Sequence, residues 1–180
     1  MKVVPLKLWL LDADVIIDLL SLGLFDTLVE RHEIFVGTTV ISEVKSHKKS
    51  YWADRSKVPV NFRTQYIDSG KVKELNSTAS EIDNLVVSKM PKLWVNTIDI
   101  GELESLAILI KEENLVFCSC DAAAIRALPF LDASERGISL ENLISSAGLK
   151  KVQLDVKHTE QYFQNNLKIG KERWIQNFET

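Results

Sequence analysis

The stretch Leu8-Trp9-Leu10-Leu11-Asp12-Ala13-Asp14-Val15-Ile16-Ile17 decides the fold. An apolar run ends in a carboxylate, a second carboxylate follows two positions on, and apolar residues resume at once. A short apolar run bounded in this way reads as a buried strand of a parallel sheet. Apolar residues from Val15 to Leu22 recur at helical spacings, so the first helix starts directly behind the strand. Open α/β sheets place their sites at the carboxyl ends of strands, which sets Asp12 and Asp14 at a strand mouth. A carboxylate there is costly to bury unless it is paired, hydrogen-bonded or bound to a cation. For Asp14 a plain helix cap is the competing reading.

The same alternation continues outward from this stretch. Glu33 to Gly37 reads as a second strand, with Thr38 or Thr39 capping a helix that carries Val40, Ile41, Glu43 and Val44. Val72 to Leu75 reads as a short edge strand. Ser77 or Thr78 opens a polar helix that Pro91 stops near Met90. Asp99 opens a helix whose apolar positions Leu103, Leu106, Ala107 and Ile110 are helically spaced. Leu115 to Cys118 reads as another buried strand, Ala122 to Leu128 as a short helix, and Phe130-Leu131 as a final strand. Ser139 to Ala147 is a helix closed by Gly148. Alternating strands and helices predict a three-layer α/β/α sandwich around a mainly parallel sheet. The expected organisation is one domain over residues 1–150 and a helical extension over 151–180. In that extension Phe163, Leu167, Gly170, Trp174 and Phe178 form one stripe, a face for the domain itself or for a partner.

The chain has 180 residues, 46% hydrophobic and 26% charged, with a formal net charge of −3. That suits a globular protein with one core. Asp12, Asp14 and Asp18 break the N-terminal apolar run, so it does not read as a secretory signal, and no stretch is long enough to span a bilayer. Cys118 and Cys120 alternate on the expected strand and would face opposite ways, which argues against a mutual disulfide, and they lack the paired spacing of a zinc site. The expected compartment is a reducing cytoplasm.

Acids recur at element boundaries: Asp12 with Asp14, then Glu43, Glu102 with Glu104, and Asp121. Right-handed crossovers bring such boundaries to one edge of the sheet. Carboxylates that face one another repel and are stable together around a cation, and oxygen donors suit Mg²⁺ or Mn²⁺. A metal so held activates water and stabilises an in-line phosphoryl displacement, which is the chemistry of a metal-dependent nuclease.

At this point the chain resembles the PIN-domain family of ribonucleases. Leu10-Leu11-Asp12-Ala13-Asp14-Val15-Ile16-Ile17 is similar to the family's first motif. Thr39-Val40-Ile41-Ser42-Glu43-Val44 is similar to the second. Asp99-Ile100-Gly101-Glu102-Leu103-Glu104-Ser105-Leu106-Ala107 resembles its Gly-Glu-x-Glu helix start, and Phe117-Cys118-Ser119-Cys120-Asp121 followed by Arg126 resembles its strand–Asp–helix motif. The resemblance spans roughly residues 6 to 147. It implies Mg²⁺- or Mn²⁺-dependent cleavage of RNA, with Asp12, Glu43, Glu104 and Asp121 as metal ligands or their organisers and Glu102 as the alternative to Glu104. Asp14, Ser119 and Arg126 are auxiliary candidates. Ala122 stands where the family often has a further acid. Many family members are toxins held by an antitoxin, which makes an antitoxin or a second copy of the chain the expected partner beside RNA.

An acidic site repels RNA, so a separate basic surface is expected to hold it. Residues 45–73 contain eight basic and two acidic side chains, a formal charge of +6 that leaves −9 for the remainder. Lys45, Lys48, Lys49, Trp52, Arg55, Lys57 and Arg63 are the candidate RNA contacts, with Tyr51 or Phe62 as further stacking surfaces. The competing reading of this segment is a solvated helical hairpin whose aromatics belong to the core. For the whole chain there are two rivals. One is a PIN-like protein-binding module with a degraded site. The other is a haloacid dehalogenase-like phosphatase, which shares Asp-x-Asp after a strand but needs a loop where Val15-Ile16-Ile17 runs straight into helix.

Overall fold

Leu8–Leu11 and Leu115–Cys118 are runs of four residues with few polar side chains, and runs of this kind become central strands because both faces are covered. In the computed structural model, which describes residues 8–178, the strands are β1 (Leu8–Leu11), β2 (Ile34–Gly37), β3 (Ser46–Lys48), β4 (Lys57–Pro59), β5 (Lys73–Leu75), β6 (Leu115–Cys118) and β7 (Gly137–Ile138). The helices are α1 (Ala13–Ser21), α2 (Phe25–Arg31), α3 (Thr38–Glu43), α4 (Ala79–Lys89), α5 (Lys92–Val95), α6 (Ile100–Lys111), α7 (Ala122–Ala127), α8 (Leu140–Ser146) and α9 (Glu160–Phe178). The parts of the expected domain and extension at 1–7 and 179–180, and the side chain of Phe178 in the tail stripe, lie outside the described residues.

The main sheet has the order β5-β2-β1-β6-β7, and every pairing in it is parallel. Side chains alternate across it. Trp9, Leu11, Ile34, Val36 and Cys118 face a core shared with α1, α2, α3 and α8. Leu10, Leu115 and Phe117 face the other core, shared with α4, α6, α7 and the first half of α9. The chain is therefore a three-layer α/β/α sandwich. From β1 it builds outward to β2 and β5, then crosses to β6 and β7 on the other side of β1. The carboxyl ends of β1 and β6 thus flank the switch point, where open α/β sheets form their crevice. The main-chain N–H of Asp12 still donates to Cys118 O at 3.2 Å, so the two strand ends remain in register where the acids begin.

Several local expectations change. Phe130-Leu131 is not a strand: Leu128–Leu131 is a 3₁₀ turn, and Asp132 leaves it in the left-handed conformation at φ 55°. Pro129 has no N–H to give to a ladder, and the last strand is Gly137–Ile138, paired with Phe117 and Cys118. Neither Thr38 nor Thr39 caps α3, whose N-cap is Gly37. Cys120 lies beyond the end of β6, and both cysteines are buried and free. The basic segment is not a helical hairpin. It is the antiparallel hairpin β3–β4 followed by a π turn at Arg63–Ile67.

In the tail, Phe163 and Leu167 enter the second core, and Gly170 lies against α7. A Cβ on Gly170 would come within 2.5 Å of Arg126 O, so glycine is what allows this close approach. Trp174 is 39% exposed and Ile175 52% exposed, so the stripe is buried along its first half and open along its second. Among the described residues no helix is long and apolar enough to cross a membrane.

Candidate active site

Asp12 stands at the junction of β1 and α1 and is 6% exposed. It is the N-cap of α1, with Oδ1 accepting from Ala13 N at 2.8 Å and Oδ2 accepting from Ser119 Oγ at 2.9 Å. No loop separates strand from helix, since Asp12 alone joins them. Burial pushes the Asp12 carboxyl up to about 6; the Ser119 and Ala13 hydrogen bonds oppose this, and the charges of Asp14 and Asp121 add to it.

Asp121 occupies the equivalent place at the junction of β6 and α7. Its Oδ1 accepts from Ala123 N at 2.7 Å and from Ala124 N at 2.9 Å, which satisfies two orphan donors of the helix start. Among the described residues nothing donates to Oδ2. Ser119 ties the two junctions together, because its hydroxyl donates to Asp12 and accepts from Asp121 N at 3.1 Å. The hydroxyl at position 119 therefore orients both acids.

Glu102 and Glu104 lie on the first turns of α6 and take different directions. Glu102 closes a capping box with Asp99, its Oε2 accepting from Asp99 N at 3.0 Å. Burial pushes its carboxyl up to about 8, with Asp121 next and Asp12 and Asp99 adding, against the bond from Asp99 N. Glu102 therefore shares a field with Asp12 and Asp121. Glu104 points to α3 instead: its Oε2 accepts from Thr39 N at 2.7 Å and supplies the cap that Gly37 cannot. A Cβ on Gly37 would meet that oxygen at 2.8 Å, so a side chain there would displace it. Glu43, at the end of α3, lies over Gly101, whose added Cβ would be 2.9 Å from Glu43 Oε1. Burial raises the Glu43 carboxyl, and Asp99, Asp14 and Glu104 raise it further.

The structure thus brings Asp12, Glu102 and Asp121 into one group at the switch point, with Ser119 between two of them. Glu43, Glu104 and Asp99 form a second group against the starts of α3 and α6. None of these acids is ion-paired to a described residue. Asp14 differs from them. It is exposed and lies 3.4 Å from Lys157 Nζ. Arg126 turns away from the acids, and its Nε donates to Asn166 Oδ1 on α9 at 2.8 Å. Three residues with no local motif also belong to the surroundings: Asp18 on α1, and Lys157 and His158 before α9. Asp18 carried one readable signal, a carboxylate on the apolar face of α1 between Ile16 and Leu19, all three of them buried.

As a cation site, the first group offers oxygen donors alone, and two of its acids are raised, Asp12 by burial and by the charges of Asp14 and Asp121, Glu102 by burial and by the charges of Asp121, Asp12 and Asp99. That donor set fits Mg²⁺ or Mn²⁺. Cys120 is not part of it, because burial pushes its thiol up to about 12. As the side chains stand, no three His, Cys, Asp or Glu among the described residues are gathered to one ion's reach.

The basic segment is less available than its charge suggests. Arg63 makes a bidentate pair with Glu74 at 3.0 Å, Lys73 pairs with Glu33, and Lys49 lies 4.0 Å from Asp54. Tyr51, Phe62 and Tyr66 are buried and are not stacking surfaces. Phe25, Phe62 and Tyr66 pack on one another in the core, which explains where these rings went. Trp52 is 53% exposed, with its Nε1 donating to Gln153 O. Lys45, Arg55 and Lys57 are exposed, and Lys48 is half-buried with its ammonium over the Tyr51 ring.

Compared with family models, curated proteins and solved structures, the chain matches none.

Proposed function

We propose that the edge between β1 and β6 binds Mg²⁺ or Mn²⁺ and hydrolyses RNA phosphodiester bonds, as an endoribonuclease. The observation that carries this reading is the group of Asp12, Glu102 and Asp121. Three acids from three elements share one field at the switch point, and none has a basic partner among the described residues. Burying carboxylates without compensation is unfavourable, and a divalent cation removes the conflict.

When bound, such an ion supplies water activation and charge screening for an in-line displacement at phosphorus. The chain's own residues supply position. The Ala13 amide and the Ser119 hydroxyl fix both oxygens of Asp12. The α7 amides hold Oδ1 of Asp121 and leave Oδ2 without a donor among the described residues. Burial raises the Glu102 carboxyl to about 8, so it holds a proton near neutral pH in the metal-free protein. Glu104 and Glu43 set the starts of α3 and α6 and so frame the crevice. No side chain is needed as nucleophile. RNA is the substrate this reading favours because the exposed Lys45, Arg55 and Lys57 lie in one basic segment with the exposed Trp52. As the toxin of a toxin–antitoxin pair, the protein would present the open half of α9, with Trp174 and Ile175, to an antitoxin or to a second copy. The reading frame beside its own would then encode that small partner.

The test is cleavage of end-labelled RNA with and without Mn²⁺, run beside Asp121→Asn. Asparagine keeps the helix cap, so the variant folds and loses only the charge. The expected result is Mn²⁺-dependent cleavage in the wild type and a loss on the order of a thousandfold in the variant, equivalent to several kcal/mol of transition-state stabilisation. Equal activity in the two proteins overturns the nuclease reading. A wild type that cleaves no RNA and binds a protein partner through the same edge favours the binding-module alternative.

A further inference from the structure

A groove of about 500 Å³ runs between α3 and the chain that leaves β4. A volume of that order is ordinary for a small-ligand site. Thr38, Ile41 and Ser42 line it from α3, at positions i, i+3 and i+4 of one helix face. Val60 and Asn61 line it from the other chain, and Lys45 and Arg63 bring the two cations of its wall. Glu43 falls on the opposite face of α3, over Gly101, in the group with Glu104 and Asp99. One helix therefore separates the groove from these acids, a width of roughly 10 Å.

The polar groups of the groove are held in place but not used up. Arg63 gives two of its five N–H groups to Glu74, each at 3.0 Å, and Glu74 Oε1 also accepts from Thr38 Oγ1 at 2.9 Å. The guanidinium is thereby fixed, and its other N–H groups have no acceptor among the described residues. Lys45 is exposed and makes no ion pair among the described residues. Two cations against the single carboxylate that holds one of them favour an anion. Asn61 Oδ1 accepts from Thr64 N at 3.2 Å, which orients the carboxamide and leaves its NH₂ as a donor. Ser42 Oγ donates to Thr39 O at 2.7 Å, which leaves the hydroxyl oxygen as an acceptor. Ile41 is buried and Val60 half-buried, so the groove also has an apolar wall. Cations for a phosphate, an apolar wall for a base, and a donor with an acceptor for the base edge together match a nucleotide of single-stranded RNA. Free phosphate would need the cations alone.

We propose that this groove binds one nucleotide of the RNA strand, a neighbour of the nucleotide whose bond is cut. Lys45 and Arg63 take its phosphate, Ile41 and Val60 its base, and Asn61 and Ser42 the base edge. The proposal rests on the nuclease reading for what the strand is, and its test separates the two. Each of the four nucleoside monophosphates, and inorganic phosphate beside them, is titrated without metal into the isotope-labelled full chain, and the amide signals are followed by NMR. At least one nucleotide is expected to move the signals of Ser42, Lys45 and Asn61 saturably, about tenfold more tightly than phosphate does. Ser42→Trp, which fills the groove from an exposed position, is expected to remove that binding. Lys45→Ala is expected to weaken it by about fivefold to tenfold, and it carries the test if Ser42→Trp fails to fold. No saturable shift with any nucleotide overturns the proposal. So do shifts that phosphate reproduces at equal affinity, and nucleotide binding that neither variant changes. Cleavage of RNA with Mn²⁺ is read separately. A chain that cleaves RNA but binds no nucleotide in the groove overturns the groove and leaves the nuclease site standing. A chain that binds nucleotide there, loses it in the variants and cleaves no RNA overturns the nuclease reading and supports the groove as a nucleotide site.

Discussion

Asp12 and Asp18 are both buried carboxylates, one at the start of α1 and one on its inner face, and they are treated in opposite ways. Burial pushes both upward. At Asp18 the His158 hydrogen bond and the charges of Lys157, His158 and Lys48 outweigh burial and bring the carboxyl below its ordinary value. At Asp12 the neighbours that matter most after burial are one hydroxyl, Ser119, and one amide, Ala13, and the remaining charges are negative, so the carboxyl ends at about 6. The chain completes one site with its own C-terminal segment and leaves the other incomplete. Under the proposed metal-dependent reading this imbalance is what a site that takes its cation from solution requires, and perturbed acids at a crevice are candidates for such a site.

The largest effect that can break this comparison is removal of the compensation. His158→Ala removes the hydrogen-bond partner of the buried Asp18 and leaves only the charges of Lys157 and Lys48 near it, and loss of one partner from a buried pair costs about 3 kcal/mol or more. Urea unfolding should show that loss, and a change below about 0.5 kcal/mol would mean that Asp18 is solvated and not compensated. A smaller effect is expected at Gly170. Gly170→Ala forces a methyl into Arg126 O and lifts α9 from α7, at about 1–3 kcal/mol. Because α9 follows the Val156–His158 turn directly, this variant should also loosen Lys157, seen as faster amide exchange at Lys157 and His158. Unchanged exchange there would show that the β3–β4 hairpin alone fixes the turn, through Tyr51 and Trp52.

The uncompensated half is sharpened by pH. The Glu102 carboxyl, at about 8 when folded against an ordinary value of 4.5, keeps its proton in the folded chain and loses it in the unfolded chain between those limits. The folded state then binds more protons, so stability falls as pH rises through this window. Metal-free Glu102→Gln should lose that slope and be more stable than the wild type at pH 8, while the two converge toward pH 4.5; parallel melting curves across the window would contradict the assignment. The smallest effect belongs to the basic hairpin. Charge reversal at the exposed Lys45 and Lys57 should weaken RNA binding and flatten its salt dependence by about two phosphate contacts. An unchanged salt slope would remove the hairpin from the RNA track.

Much of this was readable in the sequence, and the parts that were not share a physical reason. β1 and β6 are buried on both faces, so they appear as continuous apolar runs, and the acids that follow them fall at strand ends with no further information. β7 is two residues long and held by its neighbours, and its sequence has no strand signal of its own. Asp12 and Asp121 were legible because each follows its strand directly. The choice between Glu102 and Glu104 was not, since both lie in the first turns of one helix and the direction of each is set by what packs there: Asp99 for one, α3 for the other. The aromatics of residues 45–73 carry no local signal that separates surface from core: Phe62 and Tyr66 join the ring cluster around Phe25, while Trp52 stays exposed. Lys157 could not have been found from local pattern at all. It meets Asp14 across 143 residues of sequence, and nothing in Val156-Lys157-His158 marks it as part of a site.

The central claim, that the Asp12 half of the edge lacks a cation which the protein takes from solution, is tested most directly by thermal unfolding with and without Mn²⁺ for the wild type and Asp12→Asn. Ligand that binds the folded state alone raises the midpoint by mass action, about 2.7 kcal/mol at a hundredfold excess over Kd. The account predicts a concentration-dependent rise for the wild type and none for Asp12→Asn, which should already be as stable without metal as the wild type or more so. Equal Mn²⁺ shifts in the two proteins, or no shift in the wild type, would contradict it.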